Sequence, residues 1–209
     1  MNITIKTKEK YNHIAGVYDL HSKLAEKLWF TTWRKQFFSP LQRNILEVGI
    51  GTGANIDYYN EKADVMGIDF SEKMLELAQR KLALSGRKNV TLRQMNVENL
   101  LFKDNSFDYV ITSCVFCSVP DPLKGLKEIK RVLKPTGRLV MIEHVLSENK
   151  VIALLEHMLN PLATFCMGAN VNRNTKQNII NAGMEVIEDK HLALYDVFRL
   201  FIAKKGDKI

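Results

Sequence analysis

Three glycines and one acid have the spacing of a nucleotide-binding turn. The glycines follow an apolar run at residues 45–48, in the sequence Gly49-Ile50-Gly51-Thr52-Gly53, and a second apolar run at 65–68 ends in Asp69. Glycine permits positive φ and lets the backbone approach a ligand, while an acid at the tip of the second strand can accept hydrogen bonds from two ribose hydroxyls. The pattern predicts a strand, a glycine turn, the start of a helix and a second strand that together hold an adenosine.

Glu47 decides which adenosine compound we expect. The glycines also fit the dinucleotide spacing Gly49-x-Gly51-x-x-Ala54, so they do not decide by themselves. A carboxylate near the end of the first strand would repel a pyrophosphate but would suit the ammonium and sulfonium groups of S-adenosylmethionine. The sequence has no GxxxxGK(S/T) run, which excludes a triphosphate cradle of that type. We therefore expect S-adenosylmethionine rather than NAD. In the alternative interpretation, Glu47 only accepts hydrogen bonds from amides of the turn.

These residues and several later motifs resemble the class I S-adenosylmethionine-dependent methyltransferases. The resemblance spans about residues 11 to 145, and its motifs occur in the family's order. They are Leu46-Glu47-Val48-Gly49-x-Gly51-Thr52-Gly53, Gly67-Ile68-Asp69-Phe70-Ser71-x-x-Met74-Leu75, Phe107-Asp108-Tyr109-Val110 and Leu133-Lys134-Pro135-x-Gly137-Arg138-Leu139. The opening Tyr11-x-x-Ile14-Ala15-x-x-Tyr18-Asp19 is similar to that of the ubiquinone/menaquinone C-methyltransferases and of bacterial phosphatidylethanolamine N-methyltransferases.

The resemblance implies an α/β fold. We expect a Rossmann-like sheet of seven strands in the order 3-2-1-4-5-7-6, with the last strand antiparallel and helices on both faces. At 209 residues the chain has the size of one domain. Within it we expect a helical lid at 1–40, a cofactor-binding core at 41–145, and an acceptor-side insertion with the closing strands at 146–209. We expect the apolar stretch 151–168 to be helical and broken at Pro161.

The same resemblance predicts a set of cofactor-binding residues. Asn96 and Val97 follow the third predicted strand and would hold the adenine, the Asn96 amide oxygen standing where many members of the family have Asp. Tyr11 and Tyr18 would close over the methionine end by cation–π contact with the sulfonium, or would instead be core aromatics of the lid. The full set is Tyr11, Tyr18, Glu47, Gly49, Ile50, Gly51, Asn55, Asp69, Phe70, Met74, Asn96, Val97, Glu98, Ser113 and Cys114.

Methyl transfer from a sulfonium is an in-line displacement, so the protein mainly has to position the acceptor, and a base helps when the acceptor loses a proton. His144, at the tip of the fifth predicted strand, is our first candidate for a base, because a neutral imidazole accepts a proton near pH 7. Tyr18 and His21 on the lid are the other catalytic candidates. The alternatives are a loop histidine for His144 and a surface histidine for His21.

Cysteine usage argues against a metal. Cys114 and Cys117 form a CxxC, but no second pair exists and the remaining Cys166 lies in the apolar stretch. We expect no metal and no disulfide framework, and hence a cytoplasmic protein. The N-terminus has no apolar core of signal-peptide length, and no unbroken apolar run is long enough for a membrane span.

The acceptor is the least determined part of the prediction. The stretch 151–168 could cover the active site or lie in a membrane surface and admit a lipophilic acceptor such as a thiol, a quinone or phenol, or a lipid amine. The net charge of +7 permits RNA, but the run Ser113-Cys114-Val115-Phe116 lacks the Asn-Pro-Pro-aromatic signature of base-amine methyltransferases. A run at 116–119, with residues 143–145 and 170–173, resembles the animal methyltransferase-like thiol methyltransferases, whose N-terminal anchor this sequence does not show. A module that binds the cofactor without turnover is the non-enzymatic alternative.

Overall fold

The computed structural model describes residues 6–16 and 26–206. Helix α1 covers 6–16, and a π-helical turn at Glu26–Phe30 leads into α2. The remaining helices and strands follow in the order α2 (Thr31–Phe37), β1 (Arg43–Val48), β2 (Ala63–Asp69), α3 (Glu72–Ser85), β3 (Val90–Gln94), β4 (Phe107–Ser113), α4 (Pro122–Val132), β5 (Leu133–His144), α5 (Lys150–Met167), α6 (Thr175–Asn181), β6 (Met184–Ala193) and β7 (Phe198–Lys205).

The strands form one sheet in the order β3-β2-β1-β4-β5-β7-β6. Neighbouring strands from β3 to β5 are parallel, whereas β7 runs antiparallel to both β5 and β6. The predicted strand order and the antiparallel last strand are therefore confirmed. Because β1 to β5 run parallel to one another, the carboxyl ends of β1 to β4 lie at the same edge of the sheet. Folds of this kind bind ligands at that edge.

Two apolar clusters lie on the two faces of the sheet. Leu46 and Val48 of β1 pack in one cluster, with α4 and α6, and Ile45 packs in the other, with α2 and the end of α3. The same alternation runs along β5, where Met141 belongs to the first cluster and Val140 to the second. Side chains alternate along a strand, so consecutive apolar residues, such as 139–142 in β5, give a sheet that is buried on both faces.

Helix α3 begins and ends where the sequence indicates. The Ser71 side chain accepts a hydrogen bond from the Met74 backbone amide, as an N-cap does, and Gly86 ends the helix with φ 67°. Because α3 follows directly after Asp69, this cap fixes the backbone beside the end of β2.

The helix expected after the glycine turn is absent, and this prediction was wrong. Between Gly49 and Lys62 the only helical residues are the 3₁₀ turn Ile56–Tyr58. About nine residues remain between the last glycine and β2, which is too few for a helix of ordinary length that also returns the chain to the sheet.

Helix α5 was expected to break at Pro161 but continues through it as one helix of 18 residues. Two polar side chains on its inner side hold the turns before the proline, since Glu156 accepts from the Ser147 amide at 2.8 Å and Asn160 from the Val171 amide at 3.0 Å. Among the residues the structure describes, no helix has the length and apolar character to cross a bilayer.

Candidate functional site

An open cleft lies over the carboxyl ends of the first four strands. It encloses about 680 Å³ of space not occupied by atoms, part of it open to solvent, which is within the range of small-molecule sites. Its lining comes from α1, the glycine turn, the ends of β1 to β4, the first turn of α3 and the segment after β4. The lining residues are Tyr11, Val48, Gly49, Gly51, Ile68, Asp69, Phe70, Met74, Met95, Asn96, Val97, Ser113, Cys114, Val115, Ser118, Val119 and Pro120.

The glycine turn brings backbone to the floor of the cleft. Gly49 and Gly51 have φ of 68° and 57°, which favour glycine. The Gly49 and Ile50 amides donate to the Ile68 carbonyl at 2.8 and 3.0 Å, so the turn is tied to the end of β2. A Cβ on Gly49 would lie 2.5 Å from the Val115 side chain, whereas one on Gly51 would extend into open space. A side chain at Gly51 would therefore occupy room that a ligand can use.

Asp69 is the buried acid of the cleft. Its Oδ2 accepts a hydrogen bond from the Gly51 amide at 3.0 Å and its Oδ1 accepts one from the Ser71 amide at 2.8 Å. Burial raises the pKa of Asp69 to about 6, and the bonds from the Ser71 and Gly51 amides oppose that rise. Each carboxylate oxygen has a further lone pair, so the ionised group can also accept from two hydroxyls of a ligand.

Asn96 and Val97 lie at the end of β3, on the other wall of the cleft. The Asn96 side-chain oxygen accepts from the Glu98 amide at 2.9 Å, which leaves one lone pair and the amide NH₂ group for other partners. Val97 is buried and gives an apolar surface. Glu98, predicted to bind the cofactor, does not line the cleft. Its carboxylate accepts from the Asp121 amide at 2.9 Å and so ties this wall to the start of α4.

Helix α1 lies against the cleft through Tyr11 and Asn12. The Tyr11 ring is 5.8 Å from the Phe70 ring, and both side chains line the cleft. One residue on, Asn12 Oδ1 accepts from the Ser71 hydroxyl at 2.6 Å. Helix α1 is thereby docked onto the N-cap of α3. Tyr18 and His21, predicted for cofactor closure and catalysis, lie outside the described residues.

The segment after β4 forms the rim opposite α1. Ser113 and Cys114 line the cleft as predicted residues, and Cys114 has a φ of 55°. Four further lining residues of this segment were not predicted, namely Val115, Ser118, Val119 and Pro120, and neither were Val48, Ile68 and Met95 elsewhere in the cleft. The signal for the four in this segment was their place directly after a strand that ends at the ligand-binding edge, which applies to the whole run and not only to its first two members.

Glu143 holds this rim and was also missed. Its buried carboxylate accepts from the Thr112 hydroxyl at 2.6 Å and from the Val115 and Phe116 amides at 3.0 and 3.1 Å. Burial raises the pKa of Glu143 to about 7, and these bonds oppose the rise. Glu143 does not line the cleft, so it acts on the site only by positioning the rim.

Glu47 lies behind the cleft. Like Ile45 it points to the face of the sheet opposite Leu46 and Val48, where Asn55 donates to its Oε1 and the buried Arg34 in turn donates to Asn55. Its Oε2 is buried with no recorded hydrogen-bond partner in the described part of the chain. Burial raises the pKa of Glu47 to about 8, and the Asn55 bond opposes the rise. Direct contact with an ammonium group stays a prediction.

Asn55 and Ile50 also stand outside the lining. Asn55 is buried as the link between Arg34 and Glu47, and Ile50 is buried in the apolar cluster below the turn. Both therefore act on the described cleft from behind. Of the predicted cofactor set, ten residues line the cleft: Tyr11, Gly49, Gly51, Asp69, Phe70, Met74, Asn96, Val97, Ser113 and Cys114.

His144 lies behind the rim. Its ring meets the Phe198 ring edge to face at 5.4 Å, and its Nε2 is 4.0 Å from Glu156 Oε1. Burial lowers the pKa of His144, which keeps the imidazole neutral near pH 7. The ring is not among the groups that line the cleft. Its catalytic role therefore stays a prediction.

The cysteines do not form a metal site with other ligands. In residues 6–16 and 26–206, no group of three or more His, Cys, Asp or Glu side chains could hold a metal ion. Burial raises the pKa of Cys117 to about 12 and that of Cys114 well above its ordinary value, so both stay thiols at neutral pH. They act as small apolar residues of the rim.

Comparison with known sequences finds methyltransferases. The profile of a methyltransferase-domain family matches residues 46–141. A demethylmenaquinone methyltransferase of Lactobacillus johnsonii is 33% identical over 82% of this chain and 78% of its own length. A phosphatidylethanolamine N-methyltransferase of Cereibacter sphaeroides is 36% identical over 55% of this chain, and the match spans only 57% of that relative.

Solved structures share the fold. A SAM-dependent methyltransferase from Thermotoga maritima superposes with a TM-score of 0.71 at 22% identity, covering 95% of this chain and 99% of that one. The cyclase SpnF superposes with a TM-score of 0.68 at 17% identity, covering 90% of this chain and 80% of that one. Likeness at this identity shows the architecture alone, since a methyltransferase and a cyclase share it.

Proposed function

Because this chain belongs to the class I S-adenosylmethionine-dependent methyltransferases, we propose that it transfers a methyl group to a small lipophilic acceptor. The observation that carries the acceptor class is the charge of the cleft. Of the seventeen lining residues in the part of the chain that the structure describes, only Asp69 carries a charge at neutral pH. A charged acceptor would lose its hydration there without a counter-charge, whereas an uncharged lipophilic acceptor loses little.

The residues of the cleft fit S-adenosylmethionine. Asp69 can accept from the ribose hydroxyls, Asn96 and Val97 can hold the adenine, and Tyr11 can cover the sulfonium. The short connection after Gly53 offers no α-helix N-terminus on which a pyrophosphate would rest. When bound, S-adenosylmethionine supplies a methyl group already activated by the positive sulfur. The remaining task of the chain is to orient the acceptor and to exclude water.

A quinone-type ring is the first acceptor to test. The relative from Lactobacillus johnsonii, which covers most of this chain, acts by its name on demethylmenaquinone. A lipid amine is the second, since the relative from Cereibacter sphaeroides is named for phosphatidylethanolamine. The quinone-type ring is uncharged and agrees with the low charge of the cleft, whereas the zwitterionic headgroup of phosphatidylethanolamine fits it less well.

His144 is retained in this proposal as the candidate base. A general base contributes typically about 10²- to 10⁴-fold, so the role requires His144→Gln to lower kcat by at least about 100-fold with unchanged affinity for S-adenosylmethionine. An unaltered kcat at saturating acceptor would assign His144 to packing against Phe198.

Calorimetry and a labelled-methyl assay test the proposal. We expect heat of binding with S-adenosylmethionine and none with NAD, and transfer of label to demethylmenaquinol or phosphatidylethanolamine in detergent. Binding of NAD alone would reject the cofactor. Label found only in RNA would reject the acceptor class, and donor binding with no transfer to any of the lipids, thiols, phenols or RNA would favour a binding module.

A further inference from the structure

Helix α5 turns its apolar side to solvent. Its large apolar side chains recur at the spacing of one helix face, and seven of them are more than half exposed: Val151, Leu154, Leu155, Met158, Leu159, Leu162 and Phe165. We call these seven residues the α5 apolar face. The only acid of the helix, Glu156, is buried on the inner side, where it accepts from the Ser147 amide. This arrangement is the reverse of an ordinary surface helix.

A cavity lined by three cations lies at the C-terminal end of this face. Lys6, Lys10 and Arg173 line it together with neutral residues, and none of its lining residues is acidic. Lys10 Nζ donates to the carbonyls of Thr164 and Phe165 at 2.7 and 2.9 Å, so one ammonium is fixed beside the last member of the α5 apolar face. We call Lys6, Lys10 and Arg173 the basic cluster.

Arg173 is tied to the rim of the donor cleft. Its Nη2 donates to the Val119 carbonyl at 2.7 Å, while its Nε is buried with no recorded hydrogen-bond partner in the described residues. Ser118 and Pro120 line both the basic cavity and the donor cleft. The apolar face, the basic cluster and the cleft are therefore contiguous.

We propose that the α5 apolar face inserts into the surface of a membrane that contains anionic lipid, with the basic cluster on the headgroup phosphates. An exposed apolar helix face next to cations matches a bilayer surface, which is apolar below and negative at the phosphate level. The proposal rests on the proposed function in one respect, because it gives a lipophilic acceptor a path from the bilayer into the cleft. A second copy of this chain fits less well, since pairing through α5 would offer the basic cluster no acid, the only acid of α5 being the buried Glu156.

Vesicle co-sedimentation tests the apolar face. The full chain is spun with phosphatidylcholine vesicles that also contain phosphatidylglycerol. We expect Met158→Glu with Leu162→Glu to lower the bound fraction about tenfold or more. The matched control is Leu84→Glu with Leu101→Glu, which makes the same change at two exposed leucines on other elements, and its binding should equal that of the unchanged chain. Absence of binding by the unchanged chain, or equal binding by both variants, would overturn the proposal. So would an unchanged chain that is dimeric by gel filtration and becomes monomeric in the α5 variant.

The lipid charge tests the basic cluster. We expect Lys6→Gln with Lys10→Gln to lower the preference for vesicles containing phosphatidylglycerol over pure phosphatidylcholine by about tenfold, and expect the exposed control pair Lys88→Gln with Lys103→Gln to keep it. An equal preference for phosphatidylglycerol in both variant pairs would overturn the role of the basic cluster.

Calorimetry with S-adenosylmethionine in the absence of vesicles separates the membrane proposal from the proposed methyltransferase function. Vesicle binding without donor binding would reject the methyltransferase function and leave the membrane surface standing, and the α5 variant should keep full donor affinity.

Discussion

The carboxylate of Glu143, near the end of β5, accepts a hydrogen bond from the backbone amide of Val115 at 3.0 Å, in the segment that follows the neighbouring strand β4. The Phe116 amide donates to the same oxygen at 3.1 Å. A residue outside the cleft thereby fixes the path of the chain that forms its rim. Positioning by buried carboxylates of this kind leaves the lining itself nearly free of charge.

Replacing Glu143 by alanine should remove the hydrogen bonds that hold the backbone of that rim in place. The buried Phe116 amide and Thr112 hydroxyl and the half-buried Val115 amide would lose their acceptor, and a buried group costs about 1–3 kcal/mol when unsatisfied, so we expect the free energy of unfolding to fall by about 2–5 kcal/mol. Glu143→Gln keeps one acceptor oxygen and should lose about 1 kcal/mol. Urea denaturation measures both, with Glu188→Ala, an exposed change on the same sheet, as control. A Glu143→Ala variant as stable as the control would contradict the role of the carboxylate.

Replacing Asp69 by asparagine should weaken donor binding while the turn is largely kept. Asparagine removes the charge and one acceptor oxygen, and hydrogen bonds to a charged group are each worth about 1.5–3 kcal/mol, so we expect Kd for S-adenosylmethionine to rise by about 10- to 100-fold. Because the pKa of Asp69 is raised to about 6, affinity of the unchanged protein should also fall as pH drops below that value.

Calorimetry at several pH values measures both effects of Asp69. Asp64→Asn, an exposed change on the same strand, is the matched control and should bind like the unchanged chain. Equal affinity of Asp69→Asn and Asp64→Asn would remove the ribose role. If Asp69→Asn lost the same affinity at every pH, the Asp69 carboxylate would act only by accepting from the Gly51 and Ser71 amides and would not contact the donor.

Much of the fold can be predicted from local sequence, and the two wrong predictions have local physical reasons. Apolar runs without polar interruption predict strands buried on both faces, and the cap at Ser71 and the stop at Gly86 predict α3. The prediction of a helix after Gly53 was wrong because the connection to β2 is too short for a helix, whatever the helix propensity of its residues. Pro161 removes only one backbone donor, and the contacts of Glu156 and Asn160 on the inner side of α5 hold the turns before it.

The site was predictable where it depends on chain order and not where it depends on distant contacts. Gly49, Gly51 and Asp69 follow strands directly, so their place at the sheet edge could be inferred. The place of Val115 after β4 could likewise be inferred, but the bond from its amide to Glu143 on the next strand, which fixes the path of the rim, is not revealed by any spacing in the sequence. Alternation along β1 puts Glu47 and Val48 on opposite faces of the sheet, but which of the two reaches the cleft at the sheet edge is decided by packing.

Glu47 should make the stability of the ligand-free protein depend on pH. Burial raises its pKa from 4.5 to about 8, so between these values the folded state binds the proton more tightly than the unfolded state does. The stabilisation is full below pH 4.5 and is lost as pH rises through about 8, at up to about 1.4 kcal/mol per pH unit. Glu47→Gln removes this titration. The Tm of Glu47→Gln should therefore rise relative to the Tm of the unchanged chain as pH rises from about 5 to about 8. A constant difference in Tm would contradict the raised pKa.

The same residue should report on the bound donor. If the ammonium group of S-adenosylmethionine lies near Glu47, binding lowers the pKa of that carboxyl and releases a proton at pH values below about 8. We expect calorimetry at neutral pH, in buffers with different enthalpies of ionisation, to show release of a fraction of a proton by the unchanged chain and none by Glu47→Gln. Asp69 contributes little to this signal, because with a pKa of about 6 it is mostly ionised already. Equal proton release by both proteins would place the ammonium away from Glu47 and leave that carboxyl a structural partner of Asn55, whose side chain links it to Arg34.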